Sequence, residues 1–326
     1  MTKGIVMDYI VFDLEWNQCP YGKHKENPDL PFEIIEIGAV KMNGRKEVID
    51  EYHQYIKPEV YDRLNYHTRE ILGITMQELK DGISFPQAVR EFLEWCGDRP
   101  IFCTWGTLDL NELQKNMKFY DCIELLPGPI YYYDIQKLFA IAYEDKKDRK
   151  ALSYAVEYLG ITEEGAFHEA LEDARYTAEV FKKIPDIVTR SNCSVDSFQN
   201  PKTREDEIHI LYADYEKYIS REFDSKESAM EDKEVLSLRC CYCHKTARKK
   251  IKWFSTNGKI HIALGFCPKH GYMMGKIRMK KAENGKFYVI KTVCEIDDAE
   301  AAFIKEKQLD LRKKRQLKRI RKKKGL

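Results

Sequence analysis

The chain has no long hydrophobic run: no segment approaches the roughly 18 consecutive apolar residues that mark a membrane-spanning helix. Met1-Thr2-Lys3 leads straight into a strand-like stretch with no apolar signal-peptide core, so a soluble, cytoplasmic protein without membrane contacts is expected. A secreted-type disulfide framework is missing too. Cys19, Cys96, Cys103, Cys122 and Cys193 are scattered, whereas Cys240, Cys241, Cys243 and Cys267 gather late, and such a cluster reads as metal ligation in a cytoplasmic protein. Net charge is small, at +2, but this conceals a division. Ten of the thirteen residues from Arg312 to Lys324 are Lys or Arg, which leaves −8 for everything else. An acidic body with a basic tail points to a polyanionic partner, because a like-charged helix gains little from folding alone and much from neutralising phosphates. A tail that serves only solubility is the alternative.

What is present supports a folded protein. The 326 residues are 43% hydrophobic and suit two domains, or one with appendages. Ile5 to Phe12, Ile34 to Met42 and Glu47 to Ile56 read as strands, the last two joined by a turn at Asn43-Gly44. Ser84-Phe85-Pro86 opens a helix that Gly97 closes. Ile101 to Trp105 and Tyr131 to Tyr133 complete five strands, and helices follow over 109–116, 153–159 and 169–182. Strands alternating with helices predict a layered α/β domain over 1–190, its sheet mixed because of the early hairpin. Residues 191–236 read as a charged connector with a solvated helix from about Glu205 to Tyr218. A small module over 237–300 and a basic helical tail over 301–326 complete the chain.

Asp13 and Glu15 are two residues apart at the end of the first strand, so both carboxylates leave the same face. The end of a central strand is where an open α/β sheet places its ligands, and two carboxylates aimed at one point repel unless a cation lies between them. Asp109 follows the fourth strand at the head of a helix, where it serves either as an N-terminal cap or as a further ligand. His168 precedes the last helix and Asp173 lies within it, so the imidazole is placed to accept a proton beside the acids. His24, His53, His67 and His209 read as ordinary core or surface histidines.

These residues resemble the invariant set of the DEDDh branch of the DnaQ-like 3′–5′ exonucleases, in the ribonuclease H-like superfamily. The frame agrees as well: FDLEW at 12–16, EIIEIGAV at 33–40, WG-x-x-D at 105–109, YYDI at 132–135 and H-x-A-x-x-D at 168–173. The resemblance covers about residues 5–187, is closest to the ERI-1-like group, and implies a ribonuclease H-like mixed five-stranded sheet flanked by helices. It further implies that Asp13, Glu15, Asp109 and Asp173 hold two Mg²⁺ or Mn²⁺ ions and that His168 is the general base. The product would be nucleoside 5′-monophosphates, released from single-stranded or 3′-overhanging nucleic acid, with RNA favoured over DNA. Trp16-Asn17-Gln18 departs from the Thr-Gly that often follows the glutamate in proofreading relatives, which leaves the preferred sugar and base open.

Cys240-x-x-Cys243 and Cys267-x-x-His270 offer two equally spaced pairs for one structural Zn²⁺, in a zinc-ribbon-like module too poor in apolar mass to fold without it. Cys241, His244 and His261 are competing ligands. Lys249, Lys250, Lys252, Lys276, Arg278, Lys280 and Lys281 interleave with Trp253, Phe254 and Tyr272, a mixture suited to nucleic-acid binding; a purely structural module that docks on protein is the alternative. The basic tail adds structured RNA or ribonucleoprotein as candidate partners. Rival readings are a non-catalytic nucleic-acid-binding or scaffold protein that keeps the fold, and an exonuclease specific for DNA or very short oligonucleotides.

Overall fold

The computed structural model describes residues 8–144, 148–162, 165, 167–282 and 284–323, with side chains to residue 317. The chain divides into two compact units, Met1–Gln199 and Asn200–Leu326. Among the described residues no helix is long and apolar enough to cross a membrane.

The first unit runs β1 (Asp8–Gln18), β2 (Phe32–Met42), β3 (Val48–Tyr55), α1 (Tyr66–Leu72), α2 (Met76–Lys80), α3 (Phe85–Cys96), β4 (Pro100–Thr104) and α4 (Leu108–Phe119). It continues with β5 (Tyr131–Asp134), α5 (Ile135–Tyr143), α6 (Leu152–Tyr158), α7 (Ala170–Lys183), α8 (Asp186–Ser191) and β6 (Ser194–Val195). The strands form one mixed sheet in the order β3-β2-β1-β4-β5-β6. β1 pairs antiparallel with β2 and parallel with β4, which makes it the central strand. Its alternation sorts the two layers. Ile10, Phe12 and Leu14 pack with Phe85, Phe92 and Leu113 from α3 and α4, whereas Val11 packs with Leu138, Ala174 and Phe181 from α5 and α7. Asp13 and Glu15 continue the face of Val11, which directs them toward α7.

Gly38 of β2, opposite Asp13 in the register, lets α7 approach this face. A Cβ there would lie 2.1 Å from the backbone of Ala170 and Leu171, so any side chain would drive the first turn of α7 off the sheet. Asn116 of α4 fixes the other layer: its amide oxygen accepts the Ile34 N–H at 3.1 Å and its nitrogen donates to Phe32 O at 2.9 Å.

Three expectations change. The sheet has six strands rather than five, because Ser194–Val195 adds to β5 from residues read as connector. The first strand extends to Gln18, past both acids, with a bulge between Glu15 and Trp16; its expected start at Ile5 falls outside the described residues. The helix expected over 205–218 is a hairpin, β7 (Ile208–Leu211) and β8 (Tyr215–Ile219). Ile208 and Ile210, then Tyr215, Lys217 and Ile219, recur with the period of a strand. Pairing with a distant strand outweighs the helical preference of the charged residues between them.

In the second unit β7 and β8 are followed by α9 (Lys226–Ala229), β9 (Arg248–Ser255), β10 (Ile260–Cys267), β11 (Gly271–Lys281), β12 (Phe287–Ile296) and α10 (Asp298–Lys323). All six strands form an antiparallel sheet, β7-β8-β12-β11-β10-β9. The small ribbon-like module expected at 237–300 is thus part of a larger sheet that begins within the supposed connector. One face packs Trp253, Met273, Ile277 and Val293 against the segment around Leu238, and Gly275 leaves room for the Trp253 indole. The other face carries α10 through Ala301, Ile304 and Leu311, on Phe254, Ile262, Leu264 and Ile296. Lys291 is buried, and its ammonium donates to Glu234 O at 2.6 Å, Ser237 O at 3.1 Å and Ser237 Oγ at 2.8 Å. All three protons are used in pinning the segment that leads into Cys240.

Candidate functional site

Asp13 and Glu15 project from β1 and are half-buried, and Asp109, in the first turn of α4, is buried. Thr107 rather than Asp109 holds the N-cap position of α4. The backbone N–H groups of Leu14 and of Asp109 itself favour the charged form of the Asp109 carboxylate. Asp173 comes from the first turn of α7. The ligand atoms of Glu15, His168 and Asp173 lie within 4.8 Å of one another.

His168 has φ 71°, in the left-handed region that non-glycine residues seldom occupy. Two contacts hold it there. Its N–H donates to Asp173 Oδ2 at 3.3 Å, and the preceding loop is tied to α7 by Tyr176, whose hydroxyl donates to Gly165 O at 2.6 Å and accepts Gly165 N–H at 2.9 Å. The Phe167 ring stacks on Tyr176 at 4.8 Å. The imidazole itself is exposed, beside the acids.

The electrostatics are those of unbalanced negative charge. Burial, then the charges of Asp109, Glu15, Asp173 and Glu36, push the Asp13 carboxyl well above the usual carboxylate range. Burial and the charges of Asp173, Glu36 and Asp109 push Glu15 up to about 8. Asp109 rises to about 7, chiefly through burial, despite its two N–H contacts. Asp173 rises to about 6 through burial, offset by the N–H and ring of His168. Asp173 Oδ1 is buried and lacks a hydrogen-bond partner among the described residues. Crowded carboxylates and an unsatisfied oxygen fit a bound cation, and an all-oxygen acid set suits Mg²⁺ or Mn²⁺.

Glu36, directly across from Glu15 in the β1–β2 register, is a fifth carboxylate at this site that the sequence reading missed. It is buried, and its Oε1 lies 2.8 Å from Nε2 of the exposed His53, which gives it a partner. The available signal was a glutamate in the middle of the apolar run Ile34 to Val40, where burial needs a partner. Gly38, in the same run, is a second residue whose role the local pattern does not reveal. Asn17, fully buried, accepts Asn65 N–H at 2.9 Å and donates to Arg63 O at 3.0 Å, which anchors the 63–65 loop behind Trp16.

In the second unit Cys240, Cys243, Cys267 and His270 converge, with ligand atoms within 4.8 Å. Cys243 and Cys267 Sγ are 3.6 Å apart, and His270 Nδ1 lies 3.3 Å from Cys240 Sγ and 3.7 Å from Cys267 Sγ. A tetrahedral zinc with ordinary Zn–S and Zn–N bonds has edges of ~3.6–3.8 Å, so the four atoms are already near ligating separations. Burial would raise the Cys267 thiol, but the N–H groups of Lys269 and His270 outweigh it and bring Cys267 down to about 6, toward the thiolate. Cys241 faces away, its Sγ 3.8 Å from Asp214 O and 3.9 Å from Met273 Sδ. His244 turns the chain at φ 56°, and neither it nor His261 joins the cluster.

β1, α4 and α7 thus bring acidic side chains together beside an ordered histidine, an arrangement chemically suited to divalent cations. The profile of the RNase_T exonuclease family matches residues 10–181, and the chain belongs to that family. It is 29% identical over 228 residues to mouse ERI1 exoribonuclease 2, covering 59% of this chain and 31% of that protein. It is 26% identical over 179 residues to the probable 3′-5′ exonuclease KapD of Bacillus subtilis strain 168, covering 54% of this chain and 83% of that protein. To rat 3′-5′ exoribonuclease 1 it is 26% identical over 185 residues, 53% of this chain and 52% of that protein. The chain thus spans about a third of the mouse protein and about half of the rat protein. Among solved structures, the nuclease domain of 3′hExo, a DEDDh family member bound to rAMP, aligns with a TM-score of 0.47 and 21% identity, over 60% of this chain and 98% of that one.

Proposed function

We propose that this chain is a metal-dependent 3′–5′ exonuclease that removes nucleoside 5′-monophosphates from single-stranded or 3′-overhanging nucleic acid, with RNA favoured over DNA. The closeness of Glu15, Asp173 and His168 carries the reading, supported by the charges of Asp13 and Asp109 acting on the same carboxylates and by an Asp173 oxygen without a partner among the described residues. Family membership supports hydrolysis of phosphodiesters, and the relatives named exoribonucleases support RNA.

The four acids would hold two Mg²⁺ or Mn²⁺ ions, which supply Lewis-acid activation of water and stabilisation of the leaving oxygen when bound. The chain's own part is to place those acids and to order a proton acceptor beside them. His168 Nδ1 or Nε2 would take the proton of the attacking water. Its left-handed backbone and its tether through Tyr176 hold the ring over the acids without burying it. In the second unit Cys240, Cys243, Cys267 and His270 would hold one structural Zn²⁺.

The decisive experiment incubates the protein and Mg²⁺ or Mn²⁺ with 5′-labelled single-stranded RNA, single-stranded DNA and duplexes with 3′ overhangs. A ladder shortening from the 3′ end, faster on RNA, is expected. Internal cuts, or shortening from the 5′ end, would overturn the reading.

A further inference from the structure

Strand register sorts the second sheet into two chemically different faces. Phe266 and Tyr272 meet edge to face at 5.2 Å, which sets the even positions of β10 and β11 on one face. Lys276, Arg278 and Lys280 of β11 lie on that face, and the register adds Lys217 of β8 opposite Thr292. Lys250 reaches the same face from β9, its ammonium 5.4 Å from the centre of the Phe266 ring. No strand position on this face is an Asp or Glu among the described residues, whereas Glu216 and Glu295 lie on the other.

The same face carries α10. Ala301, Ile304 and Leu311 seat the helix, and the Arg315 guanidinium donates to Ser255 O. From Arg312 onward the helix sequence is basic and holds no acid, and Arg312 to Arg315 are exposed. A like-charged helix and a cationic sheet face placed together repel each other unless anions lie along both. The chemistry of the units sharpens this. Residues 200–326 hold 32 Lys and Arg against 18 Asp and Glu, a net +14, whereas residues 1–199 hold 23 against 35, a net −12. A catalytic unit of that sign repels nucleic acid, so attraction must come from the second unit.

We propose that the α10-bearing face of the second sheet binds the phosphate backbone of single-stranded nucleic acid. Lys276, Arg278 and Lys280 would meet successive phosphates, with Arg312 and Arg315 closing on the strand from the helix. Alternate residues on a strand are ~6.8 Å apart, a spacing suited to the phosphates of an extended single strand rather than to a duplex groove. This assignment rests on the reading of the chain as an enzyme of nucleic acids and names the surface that would hold them.

The test uses the full chain carrying Asp13→Asn, without Mg²⁺, so that strands are bound and not cut. Fluorescence anisotropy with labelled single-stranded RNA or DNA of about 20 nucleotides is measured across a salt series. Arg278→Glu with Lys280→Glu should weaken binding at least tenfold and flatten the salt dependence, by roughly 0.7 in log–log slope for each phosphate that is no longer neutralised. Both side chains are exposed, so the melting temperature should not move. Lys249→Glu with Lys281→Glu removes equal charge from exposed sites on the opposite face and should weaken binding less than threefold. Equal losses in the two variants would overturn the assignment. So would a chain that binds no strand at low salt, which would leave this face to an acidic protein. Cleavage of a trinucleotide by the chain with Asp13 intact is read separately. A chain that binds through this face and cleaves nothing would sink the enzyme reading and leave the binding surface standing.

Discussion

Buried carboxylates mean different things in the two units. In the first, the acids around Asp13 have one another for neighbours, and burial with mutual repulsion lifts Glu15 to about 8 and Asp109 to about 7. In the second, half-buried acids are paired. Arg221 reaches Glu207 at 2.6 Å and Asp232 at 3.0 Å, Arg204 also reaches Asp232 at 3.1 Å, and Lys202 meets Glu222 at 2.5 Å. Burial raises Asp232 and Glu222, but N–H donors and arginine at Asp232, and lysine with two asparagines at Glu222, bring both below the usual range. The second arrangement pairs its charges, whereas the first costs stability unless a cation or protons balance the acids. The contrast separates an acidic site from an acidic surface, a distinction that residue counts do not make.

The largest effect should come from removing an acid of the first unit. Asp13→Asn or Asp109→Asn should lower turnover by a factor on the order of 10³ or more, without lowering the melting temperature, because each removes a repulsive charge. Melting curves and 3′-end assays check both halves; activity that persists in the variants and resists EDTA would break the two-metal account. His168→Ala should cut turnover by about 10²-fold or more while Mn²⁺ binding by calorimetry stays nearly unchanged.

Metal removal should then tell the units apart. A chelator that strips thiolate-bound zinc, or Cys267→Ser, should lower the melting transition of the second unit by several kcal/mol and leave the first in place. A single transition that shifts as a whole would contradict this. Within the first unit, Gly38→Ala should cost about 3 kcal/mol and reduce turnover on the order of 10²-fold, because the new methyl displaces the turn that carries Asp173.

The smallest effect is in pH dependence. Glu15, Asp109 and Asp173 all bind protons more tightly in the metal-free native state than in the unfolded chain. From the unfolded carboxylate range near about 4 up to about 8, the native state therefore holds more protons, and its stability falls as pH rises. The melting temperature of metal-free protein should drop by a few degrees, roughly, between pH 5.5 and pH 8. Mn²⁺ should shrink that drop, since the cation favours the ionised form. A melting temperature that rises over the window would show that the acids are not crowded as described.

Much of this was legible along the chain. Apolar alternation around Val11, the turn at Asn43-Gly44 and the alternation of strands with helices follow from local patterns, and the first unit keeps them. The hairpin of β7 and β8 was not legible, because charged residues at 205–217 suit a solvated helix until β12 offers a pairing edge. Glu33 and Glu36 show the same limit at the site. Both are buried glutamates of β2, yet Glu33 accepts the N–H groups of Glu59, Val60 and Tyr61 at 2.6, 2.7 and 2.9 Å, whereas Glu36 faces Glu15 and His53. Three residues apart on one strand, they have different partners, and only those partners reveal which is structural.

By itself the sequence determined which residues could do chemistry: four acids and one imidazole at motif spacing, and four zinc-type ligands in two pairs. Residue type and short-range spacing suffice for that, because a strand or a helix turn has one geometry. The tertiary structure decided which of them meet. Gly38 lets α7 bring Asp173 to β1, Glu36 joins the acids from the neighbouring strand, Cys241 turns away, and α10 joins the cationic strands on one face. Those outcomes depend on contacts between residues far apart in the chain, whose formation is decided by packing and pairing across the whole unit.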